Sequence, residues 1–177
     1  MNPSRKGFSY EREIAKKLSL WITKEKSNDV LWRTEGSGGR FTNQKGKILT
    51  NSVGDIGVKD PSCEQAVSFI NNVVIECKKG YSKDIDFLDL LDRKKGVPLL
   101  KKWLDKLHNE AILTYRNWCW IIFRRNNKHD VLLIYGGSGF LGNTFDTVVG
   151  NIDGYFVSMF RLDDFLLTYK CKEFMKS

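Results

Sequence analysis

Histidine is scarce in this sequence, and cysteine is scattered. His108 and His129 are the only two histidines. They are too few for a histidine-rich metal site, and both read as surface residues. The four cysteines, Cys63, Cys77, Cys119 and Cys171, contain no CxxC pair, which argues against a structural zinc site. No apolar run approaches the ~18 residues of a membrane-spanning helix, so no membrane partner is expected. The opening Met1-Asn2-Pro3-Ser4-Arg5-Lys6 is basic but has no apolar stretch behind it, so no secretory signal is expected. The expected location is the cytoplasm, that of the host cell if the chain is viral, with the thiols reduced. There is no internal repeat and no low-complexity segment.

What is present fits one soluble domain. The chain has 177 residues, 41% of them hydrophobic and 28% charged, enough for a sizeable core. The expected division is a core over about residues 5–135 and a C-terminal extension over about 136–177. The formal charge is +8, from 29 Lys+Arg against 21 Asp+Glu. That excess favours an anionic partner, with DNA the leading candidate.

The most informative stretch is Val73-Val74-Ile75-Glu76-Cys77-Lys78-Lys79, taken with Gly54-Asp55-Ile56 upstream. In a strand, alternate side chains share a face. Glu76 and Lys78 therefore project together, with Ile75 and Cys77 on the other side. A buried run rarely holds a carboxylate and an ammonium without partners. A divalent cation shared by Asp55 and Glu76 is the simplest partner. Hard oxygen donors suit Mg²⁺, with Mn²⁺ as a substitute. Lys78 would then sit beside the reacting water or phosphate.

The surrounding elements follow from periodicity. Phe8 to about Lys24 reads as a helix whose inward stripe is Phe8, Glu11, Ala15, Leu18 and Ile22. Val30 to Arg33 reads as a short strand, and Val53 to Lys59 as the strand carrying Asp55. The loop Glu35-Gly36-Ser37-Gly38-Gly39-Arg40 lies between Arg33 and the polar, basic segment 41–52, and its backbone N–H groups can approach phosphate. Residues 63–72 read as a connector with an Asn71-Asn72 turn. The acids Asp84, Asp86, Asp89 and Asp92 read as caps and solvated faces of a short helix near 87–92. Leu99 to about Tyr115 is a helix with Leu100, Trp103, Leu104, Leu107, Ala111 and Tyr115 inside and Lys101, Lys102, Lys106 and Arg116 outside. Trp118 to Arg124 and Val131 to Tyr135 form a strand pair, Gly136-Gly137-Ser138-Gly139 a turn, Phe156 to Phe160 an edge strand and Leu162 to Tyr169 a terminal helix. The Trp and Phe residues read as core rather than as base-stacking platforms.

The order helix-Glu11, strand-Asp55, then Glu76-Cys77-Lys78 after 21 positions resembles the signature of the PD-(D/E)xK nuclease superfamily. Arg5-Lys6-Gly7-Phe8-Ser9-Tyr10-Glu11-Arg12-Glu13, and Arg33 followed by Gly36-Ser37-Gly38-Gly39, are similar to the opening of the archaeal-type Holliday junction resolvases. That likeness covers about residues 5–79. The later half, with Trp103, Glu110-Ala111 and Ile121-Ile122-Phe123-Arg124-Arg125-Asn126, is closer to phage-encoded nucleases of the superfamily. The inserts at about 41–52 and 60–72 and the long C-terminal third depart from the compact resolvases. The resemblance implies an α/β, restriction-endonuclease-like fold with a mixed central β-sheet flanked by helices. It implies Glu11, Asp55 and Glu76 as metal-site acids and Lys78 as the catalytic lysine. Arg12, Arg33, Ser37 and Arg40 become candidate DNA contacts, and a homodimer is implied because paired nicks on a two-fold junction need two sites. The leading expectation is a Mg²⁺-dependent DNA endonuclease acting on branched or structured DNA. The alternatives are a restriction-like or phage nuclease cutting duplex DNA, and a non-catalytic DNA-binding protein on a nuclease fold.

Overall fold

A computed structural model describes residues 3–34, 53–80, 97–136, 148–152 and 154–175. Ser37, Arg40, the segment 41–52, the acids Asp84 to Asp92 and the turn residues 137–139 lie outside them. Helix α1 (Pro3–Thr23) leads into β1 (Leu31–Arg33), β2 (Ile56–Val58), α2 (Glu64–Asn72) and β3 (Val73–Gly80). Helix α3 (Pro98–Thr114), strands β4 (Trp118–Arg125), β5 (Asp130–Gly136), β6 (Val148–Ile152) and β7 (Tyr155–Arg161), helix α4 (Leu162–Thr168) and a 3-10 turn (Cys171–Phe174) complete the order. The main sheet is mixed, in the order β3-β4-β5-β7-β6. Among the described strands only β3 and β4 run parallel, with Glu76 opposite Ile121 and Lys78 opposite Phe123. Antiparallel β1 and β2 form a separate ribbon. This is the α/β arrangement that the resemblance implied, a mixed sheet flanked by helices. No helix among the described residues is long and apolar enough to cross a membrane.

The strands of the main sheet are apolar on both faces because helices cover both. On one face Ile75, Trp120, Ile122, Leu132 and Ile134 meet Tyr10, Ile14 and Leu18 of α1 and Phe69 of α2. Trp120 is fully buried against the rings of Trp21, Phe69, Phe165 and Phe174, with centroids 5.1 to 6.0 Å away. On the other face Val74, Cys119 and Ile121 meet Leu100, Trp103, Leu104 and Leu107 of α3. The alternation along β3 therefore sends Glu76 and Lys78 toward α3.

Several elements differ from the sequence expectation. Residues 64–72 are a helix rather than a connector, because Ala66, Phe69 and Ile70 supply one buried face at three- and four-residue steps. The strand after residue 53 is only Ile56–Val58, since Gly54 turns the chain at φ +74°. Strand β7 is not an edge; it lies between β5 and β6. Two of the five strands of the main sheet, with Phe165 and Phe174 of the core, come from beyond residue 136. Phe8 is 42% exposed; Tyr10 and Ile14 lead the buried stripe of α1 instead.

A polar junction ties the first helix to the β4–β5 hairpin. The buried Asp130 carboxylate accepts from Tyr10 Oη at 2.8 Å, Lys17 Nζ at 3.0 Å, and Arg124 Nε and Nη2 at 2.6 and 2.7 Å. Lys17 also reaches Asp163 of α4 at 2.9 Å, and Arg124 reaches Glu13. A buried carboxylate is tolerable only when its lone pairs are satisfied in this way.

Candidate active site

The site starts from Gly54. Its positive φ is open to glycine at little cost. A Cβ here would lie 2.6 Å from the Ile75 carbonyl oxygen. Thr34 Oγ1 donates to the Gly54 carbonyl at 2.6 Å, and Thr34 N–H donates to the Asp55 carbonyl at 2.9 Å. Asp55 N–H donates to the Ile75 carbonyl at 2.7 Å. The Asp55 carboxylate, 3% exposed, accepts the Cys77 N–H through Oδ2 at 2.7 Å. Its two bonds to β3 thus straddle Glu76. Burial and then the Glu76 charge push the Asp55 carboxyl up to about 7.

Glu76 is 2% exposed and carries the densest charge contacts of the site. Its Oε1 accepts from Lys78 Nζ, and Lys106 Nζ bridges both oxygens at 2.9 and 2.7 Å. The Lys78 ammonium lies 5.9 Å from the centre of the Trp103 ring. Burial opposes its charge, but the Glu76 and Asp55 carboxylates outweigh that and hold it above its ordinary value. Lys78 is therefore a donor and a fixed positive charge. Lys106 was expected on the outer side of α3, and so was Arg116. Instead Lys106 reaches inward to Glu76, and Arg116 is buried, donating to the Val73 carbonyl at 3.2 Å. One turn beyond Lys106, Glu110 accepts the Gly54 N–H. Its Oε1 is 3.8 Å from Lys106, and its Oε2 is buried with no hydrogen-bond partner among the described residues. Burial raises its carboxyl above the usual range.

Glu11 sits on the same side of the sheet as α1 and is 7% exposed. Its Oε2 accepts from Arg33 Nε at 2.8 Å, and the Arg33 guanidinium lies 4.1 Å over the Phe8 ring. Glu11 reaches Asp55 electrostatically, as the last of the influences raising that carboxyl. Beyond Arg33 lies a surface cleft of about 300 Å³, lined by Arg12, Lys16, Trp32, Arg33, Lys59 and Asp29, among others. Arg12 and Lys16 are one turn apart on α1. Trp32 is 42% exposed, an exception to the expectation that the tryptophans are core.

The donor chemistry bears on a metal. Among the described residues, no three His, Cys, Asp or Glu side chains are gathered as a ready metal-holding group. Asp55 and Glu76 supply a pair. Asp55, raised first by burial and then by the Glu76 charge, and Glu76, now paired with Lys78 and Lys106, are two buried carboxylates whose charge a dication could also balance. Their oxygens are hard donors of the kind Mg²⁺ takes. The residues present fit such an ion, with Glu11 engaged by Arg33 rather than gathered with the pair.

A family model described as "Phage putative PDDEXK endonuclease" matches residues 2–176, nearly the whole chain. No curated protein and no solved structure matches it.

Proposed function

The chain belongs to this PDDEXK family, and from that membership we propose that it is a Mg²⁺-dependent DNA endonuclease acting on branched or otherwise structured DNA. The observation that carries the reading is the convergence at β3. Asp55 is hydrogen-bonded to the residues on either side of Glu76, and Glu76 shares its face with Lys78.

Asp55 and Glu76 would hold the cation, with Glu11 completing its surroundings directly or through water. When bound, the ion supplies positive charge that polarises the phosphate and favours ionisation of the attacking water. Lys78, held as an ammonium, donates to the phosphate oxygens as negative charge grows at the transition state and orients the water. The Trp103 ring, 5.9 Å from the Lys78 amine, covers one side of it. Arg12, Lys16 and Arg33 offer phosphate contacts along the cleft, which bind backbone without reading sequence. A homodimer would place two such sites on a two-fold junction.

The test is incubation of the pure protein with four-way junction, flap, duplex and single-stranded DNA, with and without Mg²⁺. Cleavage that requires Mg²⁺ and favours the junction or flap is expected. Equal cutting of plain duplex would replace the structured-DNA reading with a duplex nuclease, and binding without cutting would replace the enzyme. In the same assay, Arg33→Ala should weaken DNA binding and lower the slope of log affinity against log salt by about 1. An unchanged slope would remove Arg33 from the phosphate contacts.

A further inference from the structure

Glu76 has two ammonium partners where the charge of one carboxylate calls for one. Lys78 comes from the same strand, two residues on, and its side chain is 19% exposed. Lys106 comes from α3, and its side chain is 42% exposed. It bridges both Glu76 oxygens at 2.9 and 2.7 Å, where a cation shared with Asp55 would take its donor oxygens. The three hydrogen bonds from these two ammonium groups take three of the roughly four lone-pair sites of the Glu76 carboxylate, and both ammonium charges repel an incoming dication. Entry of a dication is easier if one ammonium gives way, and the more exposed one, Lys106, has the room to move.

Glu110 is where it would go. It lies one turn along α3 from Lys106, close enough for the ordinary pairing of helix residues four apart. Its Oε1 is already 3.8 Å from the Lys106 amine, and its Oε2 is buried without a hydrogen-bond partner among the described residues. An orphaned buried carboxylate oxygen costs free energy in this state, and a state in which an ammonium reaches it recovers that cost.

We propose that Lys106 is a displaceable internal counter-ion: it holds Glu76 while the site lacks a divalent cation and transfers to Glu110 when one binds. The inference rests on the metal-site reading above. It makes Lys106 a positioning residue that opposes metal entry, and Glu110 the acceptor that eases it.

Titration calorimetry with Ca²⁺, a probe that requires no turnover, tests this on the full chain without DNA. Removing a like charge that competes for the same oxygens should tighten binding, so Lys106→Met should bind Ca²⁺ about tenfold more tightly than the wild type. Glu110→Gln should bind it several-fold more weakly, because the displaced amine loses its destination. Unchanged or weaker binding in Lys106→Met would overturn the proposal, since a purely structural lysine gives that result. Should Lys106→Met not fold, Glu110→Gln decides alone, and unchanged Ca²⁺ affinity there overturns it. Asp55→Asn separates the two readings. If the wild type binds Ca²⁺ and this variant does not, the metal site stands, whatever Lys106 does. If the wild type binds neither Ca²⁺ nor Mn²⁺, both readings fall.

Discussion

Asp55→Asn should leave a protein that cuts DNA at least about a hundredfold more slowly, binds it nearly as well, and is more stable than the wild type at neutral pH. The last part follows from the raised carboxyl. Asp55 titrates near 3.8 in the unfolded chain and at about 7 in the folded one. Between those values the native state holds the additional proton, so stability falls as pH rises through that window. Above about 7 the full cost of a buried, charged Asp55 beside Glu76 is present. Asparagine carries no charge and can still accept the Cys77 N–H. Its advantage should be on the order of 1–3 kcal/mol at pH 8 and close toward pH 4. Thermal melts across that range measure it. Adding Mg²⁺ should raise the melting temperature of the wild type and not that of the variant. A variant that cut at the wild-type rate, or a stability gap that ignored pH, would remove Asp55 from the metal site.

A second large effect is expected one residue earlier. Gly54→Ala combines a left-handed backbone, at φ +74°, with a Cβ only 2.6 Å from the Ile75 carbonyl oxygen and 3.1 Å from Ile75 N. That carbonyl accepts the Asp55 N–H, so relief of the clash must pull the Asp55 segment away from β3. The expected loss is about 2–4 kcal/mol of stability by urea denaturation. The remaining folded enzyme should lose about a hundredfold in turnover, because an ångström-scale shift of a catalytic group is that costly. Gly154→Ala is the control. It too has a positive φ, +97°, but nothing lies within 4 Å of its added Cβ, so only the backbone part of the cost applies. If both variants behaved alike, close packing against Ile75 would not be what places Asp55.

The parts of the site that were readable in the sequence are those set by strand alternation. Glu76 and Lys78 share a face because they are two apart, and Ile75 and Cys77 face α1 for the same reason. The contribution of α3 was missed. Lys106 was read as part of an outer basic face, and Glu110 was given no place in the site, yet they stand three and seven residues after Trp103, the spacing of one helix face. Charged residues in register with a buried aromatic were the available signal. The α2 helix was missed because it is nine residues long and ends in Asn71-Asn72, which read as a turn. Asn72 is instead buried, donating to the Phe174 carbonyl at 2.9 Å. No local pattern predicts that contact, because its partner is 102 residues away. The place of β7 within the sheet was hidden for a similar reason. Its neighbour β6 precedes it in the chain but lies outside it in space, and short strands carry no record of their order.

The Asp130 junction bears on how fast the molecule reaches this structure. Tyr10 and Asp130 are 120 residues apart, so their contact closes most of the chain into a loop before it repays the lost entropy. Helix α1 packs chiefly on β1 and β3, but its Tyr10 and Lys17 bonds to Asp130 wait for β5. Folding should therefore be governed by the late meeting of distant segments rather than by local helix formation. The same clasp resists release of the first helix, which would take the Tyr10 and Lys17 donors away and leave Asp130 with Arg124 alone.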